Sequence, residues 1–104
     1  MAIELKLARH QAIGGLNYQQ LNIELGNESV VPEELQNLEL PPIDATQGVV
    51  ISGRAPIWLY GYLVHKLHPT AWVACHDPRL GAVVVETHTR GVSVGMIIQS
   101  EYRN

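Results

Sequence analysis

Gly48-Val49-Val50-Ile51-Ser52-Gly53-Arg54-Ala55-Pro56 is a β-branched run that breaks into a polar turn and then into a helix-opening proline. Val49-Val50-Ile51 is too short for a helix and long enough for a buried strand. From Pro56 onward Ile57, Leu59, Tyr60, Leu63, Val64 and Leu67 are apolar, a spacing that predicts a mostly buried helix over residues 56–67, closed by Pro69. Ala71-Trp72-Val73-Ala74-Cys75 is the next strand. Strand, crossover helix and strand make a βαβ unit, whose two strands run parallel. The expected fold is therefore α/β, a compact single-domain sandwich with a mixed sheet built around that unit.

Working outward, Pro78-Arg79-Leu80-Gly81 reads as a turn and Ala82-Val83-Val84-Val85 as a strand pairing back on the one before it. A last strand is expected near residues 94–99. On the other side, Ile3-Leu5-Leu7 alternates with polar residues, as do Leu16, Tyr18, Leu21, Ile23 and Leu25; Gly14-Gly15 separates the two blocks, which suggests two antiparallel strands. Pro32 followed by Glu33 and Glu34 near the positive end of a helix dipole predicts a short helix over residues 32–38, and Pro41-Pro42 ends anything helical before it.

At 104 residues the chain is read as one domain, residues 1–104, with one modest core. An apolar fraction of 46% against 16% charged residues excludes a disordered chain. The formal charge of −3 argues against a protein that tracks long nucleic acid, because that affinity comes from many Lys and Arg contacts. A small anion needs only a few local positive groups. Cys75 is the single cysteine, so no intrachain disulfide can form, and its apolar surroundings suggest a core thiol. The alternation in Met1-Ala2-Ile3-Glu4-Leu5-Lys6 lacks the continuous apolar stretch of a signal peptide, and no uncharged run reaches membrane-spanning length. The expected address is the cytoplasm.

In a parallel sheet, ligands collect outside the carboxyl ends of the strands. Both polar turns, Ser52-Gly53-Arg54 and His76-Asp77-Pro78-Arg79-Leu80-Gly81, are expected there as neighbours. Gly53 allows close backbone approach to a ligand, and Arg54 and Arg79 can each grip a phosphate in bidentate fashion. Both segments also fit plain turn chemistry, with Asp77 and Pro78 in a type I turn. Of the histidines, His10 is expected on the surface, His65 near the helix C-terminus, and His76 at the surface or an interface. His88 is either a metal or phosphate contact or a loop residue. His68 stands at the amino end of the strand whose carboxyl end carries Asp77, and nine residues of extended chain span roughly 25–30 Å. Either His68 caps and packs the helix, or the active assembly is made by different subunits.

The stretch from Gly48 to Leu59, the helix ending Val64-His65-Lys66, and Asp77-Pro78-Arg79-Leu80-Gly81-Ala82-Val83-Val84-Val85 together resemble the Csx3 family, the CRISPR ring nucleases also called Crn3. The resemblance implies a CARF-like fold that binds cyclic tetra-adenylate, the messenger of type III CRISPR systems, and cuts it to linear diadenylate, ending the antiviral response. It implies homodimers that sandwich the ring in a larger head-to-tail assembly, and no membrane partner. It implies catalytic roles for His68, Asp77 and Arg79, with Ser52, Gly53 and Arg54 lining the ligand; Pro78, Leu80 and His88 are expected as further ligand contacts. His68 would be general acid or base, Arg79 would stabilise phosphoryl charge, and Asp77 would hold Mn²⁺ or orient Arg79, while a 2′-OH or a metal-bound water attacks phosphorus. Two other readings stay open: a sensor that binds the ring without cutting it, and a Mn²⁺-dependent exonuclease that deadenylates RNA 3′ ends.

Overall fold

The computed structural model describes residues 2–100; Met1 and residues 101–104 lie outside the described residues, and with them the ends of the expected domain. Among the described residues six strands form one sheet in chain order: β1 (Ile3–Gln11), β2 (Asn17–Leu25), β3 (Gly48–Ser52), β4 (Trp72–Asp77), β5 (Gly81–Thr87) and β6 (Ile97–Ile98). β2, β3 and β4 run parallel and the remaining pairs antiparallel, so the sheet is mixed as expected. The expected βαβ unit is present as β3, the helix α1 (Ile57–Leu67) and β4.

α1 covers one face of the sheet. Leu59, Leu63 and Leu67, each four residues apart, are buried against Leu21, Ile23, Val49, Ile51 and Val73. At about 1.5–3 kcal/mol per buried side chain, that stripe anchors the crossover. The helix is amphipathic rather than mostly buried: Ile57, 88% exposed at its first position, faces water. The other face of the sheet carries a second cluster around Tyr18, Val50, Trp72, Ala74 and Val84, closed from below by Val92 of the loop after β5. Trp72 explains Gly48: any Cβ there would fall inside the indole ring.

A second crossover, from β2 to β3, runs through residues 26–47 without an α-helix. Its short turn is a 3₁₀ helix, Pro32–Asn37, in place of the predicted helix. Glu34 ties it down, accepting from the N–H groups of Val31 at 3.3 Å and Ala2 at 3.1 Å. Further along, the fully buried Gln19 side chain clasps Asp44, donating to its carbonyl and accepting from its N–H, both at 2.8 Å. The Glu34 carboxylate and the Gln19 amide thus supplement the few backbone bonds of this loop.

β6 is shorter than the strand expected over 94–99. Gly95 has φ of +91°, so the chain turns within the stretch where extended backbone was predicted. Beyond β6 the sheet curls: Ile13 N–H donates to the Gln99 carbonyl at 2.8 Å, and Ala12 bridges Ser100. The chain after β1 therefore meets the chain after β6, across the concave face opposite α1. No helix among the described residues is long and apolar enough to cross a membrane.

Candidate functional site

The concave face holds a cavity of about 820 Å³. Its wall takes His10 from β1, Tyr18 and Gln20 from β2, Ser52 from the end of β3, His76 from β4, Pro78, Arg79 and Leu80 from the β4–β5 turn, and Gly81 from the start of β5. The two polar turns do lie side by side, because β3 and β4 are adjacent and parallel. No carboxylate lines this cavity among the described residues, and Arg79 and His76 do. Such a wall suits an anion.

The expected residues do not all meet there. Arg54 lies with Ile23, Leu25, Ala55 and Pro56 in a separate depression. Gly53, at φ +124°, is held where a Cβ would come 2.6 Å from the Ile23 carbonyl, and its own carbonyl accepts from Tyr60 Oη at 2.7 Å. Its glycine requirement comes from strand packing. Asp77 does not line the cavity; its Oδ1 accepts from the N–H groups of Arg79 at 2.8 Å and Leu80 at 3.0 Å. Those two donors, the Arg79 N–H foremost, hold its carboxyl below the usual carboxylate range. It shapes the turn that presents Arg79. Cys75 faces the helix side, and burial pushes its thiol up, away from the reactive thiolate.

His68 ends up far from this cavity, at the foot of β4, as the sequence required. There it joins two residues of the β5 end. Its Nδ1 is 3.0 Å from Glu86 Oε2, which is 3.4 Å from His88 Nε2, and the two imidazoles meet edge-on with centroids 5.0 Å apart. His88 Nε2 also donates to the His68 carbonyl at 3.1 Å. The three ligand atoms lie within 4.8 Å of one another, the one such group of potential metal ligands among the described residues. His88 thus belongs with His68 and not with Ser52 and Arg79.

Sequence reading missed Glu86, and the cause is a bulge set by pairing with β4. Strict alternation from the buried Ala82 and Val84 sends residue 86 to the concave face. The register shifts between Val73 and Ala74, which pair with Glu86 and Val84, so Val85 is the extra residue of a bulge. That slip turns Glu86 to the helix side, beside His68. His10 was missed as well: it is half-buried and stacked on Tyr18, not a surface residue. The polar row Tyr18, Gln20, Asn22 along one face of β2 was the available sign of a wet cavity on that side.

These features define a two-layer α/β domain with an anion-suited cavity at one end of its sheet and a His–Glu–His cluster at the other. Residues 23–99 match the family described as CRISPR-associated protein, Csx3 (Cas_csx3), and the chain belongs to that family. It is also 46% identical over 79 residues, 69% of each chain, to an uncharacterized protein of Aquifex aeolicus (strain VF5).

Proposed function

We propose that this CRISPR-associated protein is a ring nuclease, with a CARF-like fold, that binds cyclic tetra-adenylate and cleaves it to linear diadenylate in type III CRISPR signalling. The observation that carries the reading is the split of its polar groups: Arg79, His76 and Ser52 around a cavity that no carboxylate lines among the described residues, at one end of the sheet, and His68 at the other. A ring held in one copy's cavity meets the His68 imidazole only if a second copy stacks head to tail, and two-fold dimers would present matched pairs of groups to a symmetric ring.

In that assembly a ribose 2′-OH attacks the adjacent phosphorus. The O2′–P bond forms as the P–O5′ bond breaks; His68 accepts the hydroxyl proton or supplies one to the leaving oxygen, and Arg79 stabilises the charge on the phosphoryl oxygens. Asp77 positions Arg79 by fixing the turn.

The expected Mn²⁺ fits better with His68, Glu86 and His88 than with Asp77, whose Oδ1 is engaged by two backbone donors. Two imidazoles and a carboxylate are a donor set for a divalent transition ion. When bound, such an ion supplies a Lewis acid for phosphoryl oxygen. The same cluster favours, as a second reading, Mn²⁺-dependent trimming of RNA 3′ ends.

Incubation with cyclic tetra-adenylate, with and without Mn²⁺, followed by mass analysis, tests the proposal. Diadenylate is expected; an intact ring after long incubation at high protein concentration leaves a sensor, and release of single adenylates from linear RNA alone leaves the exonuclease.

A further inference from the structure

Part of the cavity wall comes from residues that precede the segment matching the Csx3 family, and two of these, His10 and Gln20, carry polar groups that the proposed chemistry does not use. His10 stacks on Tyr18 with centroids 5.6 Å apart and planes at 19°. Tyr18 is buried and in turn contacts Trp72, at 5.9 Å. The imidazole is thus a firm, half-exposed plate backed by two rings. Its Nδ1 is buried without a hydrogen-bond partner, so the ring's polar chemistry is left to Nε2.

Gln20 follows two residues after Tyr18 on the same face of β2. Its Nε2 donates to Asn22 Oδ1 at 2.9 Å, which fixes the plane of the amide. That bond uses one amide proton. The carbonyl oxygen and the second N–H remain, an acceptor beside a donor held in one plane. Adenine's Hoogsteen edge is the complement, an N6 amino donor beside the N7 acceptor, whereas a purine bearing O6 offers two acceptors there. An aromatic plate beside a fixed amide is what recognition of an unstacked base requires.

We infer that His10 and Gln20 form a nucleobase subsite that selects adenine: the base stacks on the imidazole, the Gln20 amide pairs with N6 and N7, and the phosphate lies toward Ser52 and Arg79. The inference rests on the proposed function for the cyclic form of the ligand only, since the subsite reads adenine equally in a linear strand.

The test is calorimetric titration of the full chain with linear tetra-adenylate and linear tetra-inosinate, in which oxygen replaces the N6 amino group. The wild type is expected to favour the adenylate by about tenfold or more. Gln20→Leu, which keeps the bulk, equalises the two. His10→Ala weakens both by about tenfold, and His10→Phe, which keeps the plate, recovers most of that loss. Circular dichroism and thermal melting check that each variant is folded. The subsite is overturned if the wild type binds neither tetramer or binds both alike, if Gln20→Leu keeps the preference, or if His10→Phe binds as weakly as His10→Ala. A wild type that discriminates between the tetramers yet leaves cyclic tetra-adenylate intact keeps the adenine subsite and removes the ring-nuclease reading.

Discussion

His68 Nδ1 lies 3.0 Å from Glu86 Oε2, although the two residues are eighteen apart in the chain and the alternation of β5 would have turned Glu86 to the other face. The bulge at Val85 makes the contact. Replacing the carboxylate with a neutral amide removes the charge that suits this cluster to a cation. Glu86→Gln is expected to weaken Mn²⁺ or Zn²⁺ binding by at least about tenfold, read by calorimetry. Equal affinity in the variant would assign the metal elsewhere.

Gln19 is a buried polar side chain whose two hydrogen bonds, both 2.8 Å, serve the backbone of Asp44 alone. Gln19→Leu leaves that N–H without a partner and the carbonyl with the Gln47 N–H alone, at 3.2 Å, and is expected to cost about 2–3 kcal/mol. Thermal unfolding checks this, with a fall in Tm of about 10 °C or more. An unchanged Tm would mean that the crossover loop contributes little to folding.

Two glycines give opposite expectations. At Gly48 a methyl group would enter the Trp72 ring, so Gly48→Ala is expected to destabilise by about 1–3 kcal/mol. Gly61 is exposed on α1, where a Cβ would meet nothing within 4 Å, and Gly61→Ala is expected to stabilise by about 0.5–1 kcal/mol. Denaturant titration of both variants compares them directly.

The turn that carries Arg79 depends on an ionised Asp77. The carboxyl is held below its usual range by the Arg79 and Leu80 N–H groups. The sign follows: the folded state binds the proton less readily than the unfolded chain, so the stabilisation is complete above the unfolded value near 3.9 and fades as pH falls through the lower folded value. Amide proton shifts of Arg79 and Leu80 should titrate together with a midpoint below 3.9, approximately the free-carboxylate value. Asp77→Asn, which keeps an acceptor oxygen, should hold the turn better than Asp77→Ala.

Much of this fold was legible because its deciding features are local. Val49-Val50-Ile51, the leucine spacing of the crossover and Pro69 place β3, α1 and β4. The adjacency of the two polar turns then follows from parallel pairing alone. The misses share a different cause: each depends on residues remote in sequence. Glu86 reaches His68 through a bulge defined by the partner strand, and no pattern within Val83-Val84-Val85-Glu86 announces it. His10 enters the cavity because the sheet curls until Ile13 meets Gln99. The residues of 32–38 looked helical by composition, but they close with i→i+3 bonds as 3₁₀ while Glu34 is held by the remote Ala2 N–H. That His68 and Asp77 stand beyond the start and at the end of β4 was legible from the order of the segments, and it is what supports the proposed assembly of more than one copy.

The most direct test of a site shared between copies is complementation. His68→Ala and Arg79→Ala are each expected to leave cyclic tetra-adenylate intact, while an equal mixture regains diadenylate formation, because one variant supplies the arginine-bearing cavity and the other the imidazole. A mixture as inactive as its components, under conditions in which the wild type assembles and cleaves, would contradict the account.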